Sequence, residues 1–216
     1  MLKRAHKKGV EKIICIGTNH EDSLAARDFT ESHENVYWTY GIHPESAGKE
    51  WKFEGNPVAI GEVGLDYYYD GYDRTAQIKL FEEMLQLATD NNLPVSFHVR
   101  EAFDDFFPVV ANFPKVSGVV HSFSDNKKNL KRILAETDFY VGVNGMATYS
   151  TLPTPPLERI LLETDAPFLT PKPFRGIINE PAYVPAIAEW LAAKLGLDYQ
   201  IIERETTKNA EQLFHI

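Results

Sequence analysis

Four residues whose side chains can bind a metal ion or move a proton stand where short apolar segments end: Glu62, His98, His121 and Asp165. Imidazole and carboxylate groups are ligands that zinc, manganese and similar divalent ions accept. A bound divalent ion lowers the pKa of its water to about 7 and so provides hydroxide at neutral pH. The types and positions of these residues therefore predict a metal site that supports hydrolysis.

The apolar segments before these residues are typical of β-strands, and helices separate most of them. Strands are predicted over 12–17, 36–42, 57–61, 94–98, 117–121, 139–143 and 159–163. Helices are predicted over 74–91, 102–113 and 127–136, the last with Ser124 as its N-cap, and two more between 180 and 216 with a break at Gly196. Alternating strands and helices indicate parallel strands joined by right-handed crossovers.

Seven strands suit a TIM-like (β/α)8 barrel that lacks one strand, or an open doubly wound sheet. No G-x-G-x-x-G motif follows the first strand, so a dinucleotide-binding fold gains no support. The proline-rich segment 146–158 is unsuited to a helix, and we expect a surface loop there in place of one crossover helix.

A parallel barrel would bring the four candidate residues together, because the carboxyl ends of its strands open onto one face. His98 and His121 are 121 − 98 = 23 residues apart, about one strand–helix unit, which predicts neighbouring strands. A single histidine at a strand end is usually a structural, hydrogen-bonded residue. Four polar residues at the same end of apolar strands would be costly to bury without partners, which favours the metal site.

The composition is that of an ordinary globular protein, and we expect one domain over residues 1–216. The net charge of 22 − 31 = −9 argues against a broad basic face for nucleic acid, but allows a site that holds one phosphate at a metal. Cys15 is the only cysteine, which excludes an internal disulfide and a cysteine-rich zinc site. No apolar run approaches the roughly 20 residues of a membrane span, and no secretory signal is evident. We expect a cytoplasmic protein without membrane contact.

Six motifs carry a resemblance to a known family: GIHP at 41–44, AIGEVGLDYY at 59–68, PVSFHVREAF at 94–103, GVVHSFS at 118–124, LLETDAPFLTP at 161–171 and RGIINEPAYV at 175–184. In order and spacing the sequence resembles the TatD family of metal-dependent hydrolases, usually deoxyribonucleases. The resemblance implies a TIM-like barrel with one or two divalent ions (Zn, Mn or Mg) at the strand ends. It also implies hydrolysis of phosphodiesters in nucleic acid, at single strands or ends, with DNA favoured over RNA.

The resemblance also implies roles for individual residues. Glu62 is expected to bridge two metals and to take part in catalysis, and His98 and His121 to bind one of those metals. Asp165 is expected to bind metal and to orient or deprotonate the attacking water. Four further residues stand at motif positions near the family's phosphate site and are expected to contact substrate: His43, Arg100, Arg175 and Asn179.

Other roles are open for some of these residues. Arg100 could form a structural ion pair with Glu101 or Asp104, while Arg175 and Asn179 could be loop and helix-cap residues. The tyrosines at 67–69 could stack on a base or simply pack beside the barrel mouth.

The sequence departs from the family pattern because it has no H-x-H pair, which in the family lies on the first strand and binds the other metal. We therefore expect a barrel without that strand, with the second metal weak or absent. The strand edge left open would be a place for a second copy of the chain to pair. Two alternatives to a nuclease stay open: a non-catalytic or single-metal remnant of the barrel, and a related hydrolase that acts on another ester such as aminoacyl-tRNA.

Overall fold

The computed structural model describes residues 1–216, with seven strands and seven α-helices. The strands are β1 (Ile13–Cys15), β2 (Val36–Tyr40), β3 (Ala59–Asp66), β4 (Val95–Arg100), β5 (Gly118–Val120), β6 (Tyr140–Val143) and β7 (Ile160–Leu162). The helices are α1 (Leu2–Lys7), α2 (His20–Thr30), α3 (Arg74–Asn91), α4 (Phe103–Ala111), α5 (Lys127–Glu136), α6 (Val184–Leu195) and α7 (Tyr199–Phe214). Short 3-10 helices lie at Pro44–Ser46, Gly145–Thr148, Leu157–Arg159 and Pro181–Tyr183. None of the helices has the length and apolar character that a membrane crossing would need.

The chain divides into two compact units, and the first comprises Ile14–His121 with Leu213–Ile216. Within it, β2 pairs with β3, β3 with β4 and β4 with β5, all in parallel. Phe97 of β4 and Phe81 of α3 are fully buried against Phe106 of α4, with ring centroids 5.3 and 5.9 Å from that of Phe106. Helices thus cover this sheet through an aromatic core, as expected for strand–helix units.

The second unit comprises Met1–Ile13 with Ser122–Gln212. Here β6 pairs in parallel with β7, and two 3-10 helices instead of an α-helix connect them. The predicted loss of one crossover helix is therefore confirmed, and the prolines at 153, 155 and 156 explain it. Asn209 of α7 donates to the carbonyls of Leu157 and Ile160 at 3.0 and 2.9 Å, which fastens this last helix to β7.

One local prediction needs correction, and one helix was not predicted. α5 begins where the sequence predicted, but its N-cap is Asn126 and not Ser124. The Asn126 side chain accepts from the amides of Lys128 and Asn129 at 2.8 and 3.2 Å, because only the residue directly before the helix can reach those donors. The helix α2 was not predicted from the sequence, because it has no apolar periodicity and Ser23 is its only buried residue. The predicted break at Gly196 is confirmed, with φ +68° at the end of α6.

Gly64 permits β3 and β4 to approach closely. Its partner in the register is His98, its φ is +147°, and a Cβ atom there would lie 2.0 Å from the His98 carbonyl oxygen. No L side chain fits this backbone conformation and this space together. Glycine at 64 is therefore required for the position of His98.

Replacing Gly64 by Ala should reduce the free energy of unfolding by about 3 kcal/mol, because backbone strain and overpacking add. Urea unfolding measures this loss. Gly71→Ala is the matched control, since φ there is +86° but nothing lies within 4 Å of the added Cβ; its loss should be about 1 kcal/mol. Equal losses in the two variants would contradict the close approach.

Candidate metal centre

Glu62 lies on β3, and contacts with neighbouring segments hold its backbone. Its amide donates to the carbonyl oxygen of Gly17 at 2.7 Å. Thr39 Oγ1 accepts from the Gly17 amide at 3.0 Å and donates to the Gly61 carbonyl. A Cβ atom on Gly41, just after β2, would lie 2.2 Å from Glu62 N, so this approach requires glycine. The ends of β1 and β2 are in this way tied to the residue that carries the carboxylate.

Three imidazole rings lie around the Glu62 carboxylate. His98 Nδ1, His121 Nε2 and His43 Nε2 lie 2.6, 2.8 and 3.7 Å from Glu62 Oε1. The rings of His43 and His98 meet edge to face, with centroids 4.5 Å apart. All four side chains are only 14–17% exposed. The cluster is thus largely desolvated but still open to a substrate.

The surroundings set the charge of these groups. Burial acts to raise the pKa of the Glu62 carboxyl, but the imidazoles of His121 and His98 outweigh it and hold that pKa well below its usual range. Burial acts to lower the pKa of His98, yet hydrogen bonds with Asp66 and Glu62 raise it overall. Burial and the neighbouring His98 lower the pKa of His43. The centre therefore combines an ionised carboxylate with a His43 ring that is neutral at pH 7.

This donor set matches the requirements of a divalent ion. The ligand atoms of His43, Glu62 and His98 all lie within 4.8 Å of one another, and His121 Nε2 lies against the same Glu62 oxygen. Ligands placed 2.0–2.2 Å from a zinc ion lie roughly 3.3 Å from each other, so small side-chain adjustments suffice. Imidazole and carboxylate together suit zinc or manganese better than calcium or magnesium.

The first unit contains five of the residues predicted for the site, and it brings four of them together: Glu62, His98, His121 and His43. Glu62, His98 and His121 form one cluster, as predicted. The prediction that Glu62 stands at the end of its strand was wrong, because β3 continues in extended conformation to Asp66 and Glu62 lies within it. His43 was expected to contact substrate and lies against the same carboxylate, so it could serve either as a ligand or as a substrate contact. The individual roles stay predictions.

Arg100, at the end of β4, packs on aromatic rings. Its guanidinium carbon lies 3.4 Å above the centroid of the Tyr68 ring and 5.3 Å from that of Tyr69. The alternative of an ion pair with Glu101 or Asp104 was wrong, because the tyrosines that follow β3 offer a face for cation–π stacking instead. The planar guanidinium keeps its edge available for phosphate oxygens.

Asp165 belongs to the second unit and follows β7 in a tightly held turn. Its φ is +58°, and its carbonyl oxygen accepts from the Phe168 amide at 2.9 Å. Asn179 donates both amide hydrogens to this turn, to the carbonyls of Thr164 at 2.7 Å and Phe168 at 2.6 Å. The structure therefore shows Asn179 bracing the turn that carries Asp165, while its contact with substrate stays a prediction.

Arg175 lies in the same unit and is exposed. Its guanidinium carbon lies 4.0 Å from the centroid of the Tyr149 ring. That arrangement holds the side chain at the surface with its donors free to meet an anion, and its predicted contact with substrate likewise stays a prediction.

Asp66 was missed by the sequence analysis. It ends β3, is 5% exposed, and its Oδ2 lies 2.9 Å from His98 Nε2. The signal that could have found it is the alternation of a strand, which places residues 62, 64 and 66 on one face. Asp66 follows Glu62 on the same strand, and only one polar residue per strand was predicted for the site.

Comparisons with known proteins identify the family of this chain. The sequence profile of the family described as "TatD related DNase" matches residues 1–215. The "Uncharacterized metal-dependent hydrolase YabD" of Bacillus subtilis is 33% identical over 235 residues, covering 100% of this chain and 92% of the relative. The "3'-5' ssDNA/RNA exonuclease TatD" of Pantoea ananatis is 33% identical over 240 residues, covering 99% of this chain and 92% of the relative. The crystal structure of YJJV, a TatD homolog from Escherichia coli K12, superposes with a TM-score of 0.86 at 28% identity, covering 100% of this chain and 90% of that one.

The seven strands, the structural match and the named relatives define a metal-dependent hydrolase with a TIM-like barrel fold, and the histidine and carboxylate cluster lies on β3 and β4 and just after β5. The chain belongs to the TatD family. The predicted fold class, family and enzyme class are thereby confirmed. The expectations of a single domain and of pairing between copies stay predictions.

Proposed function

We propose that this chain is a phosphodiesterase that removes nucleotides from the ends of single-stranded nucleic acid, with DNA favoured over RNA. The observation that carries the proposal is the sharing of one Glu62 oxygen by His98 and His121, at 2.6 and 2.8 Å. Relatives from Pantoea ananatis and Erwinia tasmaniensis, each 33% identical, carry the name "3'-5' ssDNA/RNA exonuclease TatD". These names support the substrate class.

In this proposal Glu62, His98 and His121 hold one tightly bound divalent ion. Such an ion supplies Lewis acidity, which polarises a phosphoryl oxygen and makes water acidic. No H-x-H pair occurs in residues 1–216, so the ligands on this chain suffice for one ion.

Three further residues have a role in the proposed reaction. Asp165 accepts a proton from the attacking water as the water oxygen bonds to phosphorus, and the bond from phosphorus to the leaving sugar oxygen breaks. His43, neutral at pH 7, is a hydrogen-bonding partner for a phosphoryl oxygen. Arg100 offers its guanidinium edge to the next phosphate, where a planar fork suits two oxygens. The leaving alkoxide takes a proton from solvent or from the protonated Asp165.

The tyrosines beside Arg100 favour nucleic acid over a small ester. Tyr68 and Tyr69 are 50% and 58% exposed, and Tyr68 is already stacked with a cation on one side. An exposed aromatic face next to a phosphate-binding arginine suits a single-stranded substrate, in which unpaired bases are free to stack.

Tyr68→Ala should raise KM for a short single-stranded oligonucleotide about 10-fold, since one base–aromatic stack is worth about 1–3 kcal/mol. Hydrolysis of bis(p-nitrophenyl) phosphate, which has no base to stack, should change less than 2-fold. Phe29→Ala is the control, because Phe29 is an exposed aromatic on α2 that stacks on His33. Equal effects of Tyr68→Ala on the two substrates would contradict a stacking role.

The proposed activity is tested directly by incubating purified protein with 3'- and 5'-labelled single-stranded DNA and RNA in Mn²⁺, Mg²⁺ or Zn²⁺. We expect stepwise shortening from one end that EDTA abolishes, with faster shortening of DNA. A protein that binds metal but shortens none of the substrates would support the remnant alternative. Hydrolysis of aminoacyl-tRNA without shortening would support the esterase alternative. The cytoplasmic location stays a prediction.

A further inference from the structure

His98 lies between two carboxylates, one at each ring nitrogen. Nδ1 lies 2.6 Å from Glu62 Oε1, and Nε2 lies 2.9 Å from Asp66 Oδ2. A neutral imidazole carries one proton, and a nitrogen can bind a metal only where it has none. The location of that proton therefore decides whether Nδ1 is a ligand.

We propose that Asp66 is a positioning residue that accepts the Nε2 proton of His98 and so keeps Nδ1 free to bind the metal ion beside Glu62. This inference rests on the proposed metal site and adds to it a residue that touches neither metal nor substrate. Ligating histidines commonly donate their second ring N–H to such a carboxylate, which fixes the tautomer and makes the ring a stronger ligand.

Asp66 is held rigidly enough for this task. Its Oδ1 accepts from the Tyr68 amide at 3.0 Å, which leaves Oδ2 facing His98. The backbone of Asp66 is held by the buried side chain of Gln77 on α3. The side-chain amide of Gln77 accepts from Asp66 N and donates to Asp66 O, both at 2.9 Å. Side chain and backbone of Asp66 are thus fixed independently of His98.

The strand geometry explains why two carboxylates can face one ring. Glu62, Gly64 and Asp66 alternate on one face of β3, and the central residue of the three has no side chain. The His98 backbone lies against Gly64, close enough that a Cβ would be 2.0 Å from its carbonyl oxygen. The ring of His98 is consequently placed between the residues at either end of this triplet.

The test compares Asp66→Ala and Asp66→Asn with wild type. Zn²⁺ affinity, measured by competition with a chromophoric chelator, should fall 10- to 100-fold in Asp66→Ala. It should fall several-fold in Asp66→Asn, which keeps the shape and a weaker acceptor. Long-range ¹⁵N–¹H correlation spectra of metal-free protein should show a proton on Nε2 of His98 in wild type, in addition to the Nδ1 proton that Glu62 accepts. The same spectra should show a substantial population protonated at Nδ1 alone in Asp66→Ala.

A merely structural role for Asp66 would lower the melting temperature without changing the His98 tautomer. Asp105→Ala is the control, because Asp105 is a carboxylate of the same unit that binds Tyr67 and Arg74 but not His98. It should leave Zn²⁺ affinity and tautomer unchanged. Should Asp66→Ala fail to fold, Asp66→Asn carries the same two readouts.

The inference is overturned if both Asp66 variants bind Zn²⁺ as tightly as wild type with His98 still protonated at Nε2. That result would leave the proposed function intact as long as wild type binds metal and shortens oligonucleotides. Failure of wild type to bind any metal would instead overturn the metal site. The tautomer measurement on metal-free protein would still show whether Asp66 sets the proton on His98.

Discussion

His98→Ala and His121→Ala should each abolish the tightly bound metal ion of the purified protein. Each imidazole nitrogen lies within 2.8 Å of Glu62 Oε1. Without either one, only two of the three protein ligands that a catalytic zinc-type site uses are left. Metal content, measured by inductively coupled plasma mass spectrometry, should fall from about one ion per chain to below about 0.1.

His33→Ala is the matched control, since its ring stacks on Phe29 on the surface of α2. Its metal content should equal that of wild type. The same loss should be visible in the melting temperature, because a ligand that binds only the folded state stabilises it by an amount that grows with the ligand concentration relative to Kd. Added Zn²⁺ should raise the melting temperature of wild type and His33→Ala, but not of His98→Ala. Unchanged metal content in both His98→Ala and His121→Ala would show that the site is misplaced.

Asp165→Asn should reduce kcat for oligonucleotide hydrolysis by about 10²- to 10⁴-fold, the usual contribution of a general base. The amide has nearly the same shape but cannot take a proton from water. The turn that carries residue 165 is held by backbone contacts and by Asn179, so the substitution should leave its conformation intact. Single-turnover assays with saturating Mn²⁺ measure the chemical step.

Asp198→Asn serves as control for Asp165→Asn, since Asp198 is an exposed residue between α6 and α7. Its turnover should match wild type. The bound ion should persist in Asp165→Asn, because Glu62, His98 and His121 hold it. A wild-type rate in Asp165→Asn would show that another group handles the attacking water.

The sequence predicted the elements whose signals are strong and local. α3 runs over 74–91 as its apolar periodicity indicates, and all seven strands lie within the predicted segments or within a few residues of them. The gathering of Glu62, His98 and His121 followed from one topological rule, since the carboxyl ends of parallel strands share an edge. No side-chain detail was needed for that step.

The remaining features depend on three-dimensional contacts that residue types do not encode. Gly41 and Gly64 are required by backbone approaches that no pattern reveals. The stacking of Arg100 on Tyr68 competed with an equally reasonable ion pair, and only the structure decides between them. Asp66 was visible in the alternation of β3, but its partner His98 could be identified only from the register of β3 and β4.

Anomalous diffraction from crystals grown with Zn²⁺, recorded on both sides of the zinc absorption edge, tests the central claim most directly. We predict one strong peak within about 2.0–2.2 Å of a Glu62 oxygen, His98 Nδ1 and His121 Nε2. A zinc ion found only at other residues, with this cluster holding no peak, would contradict the account.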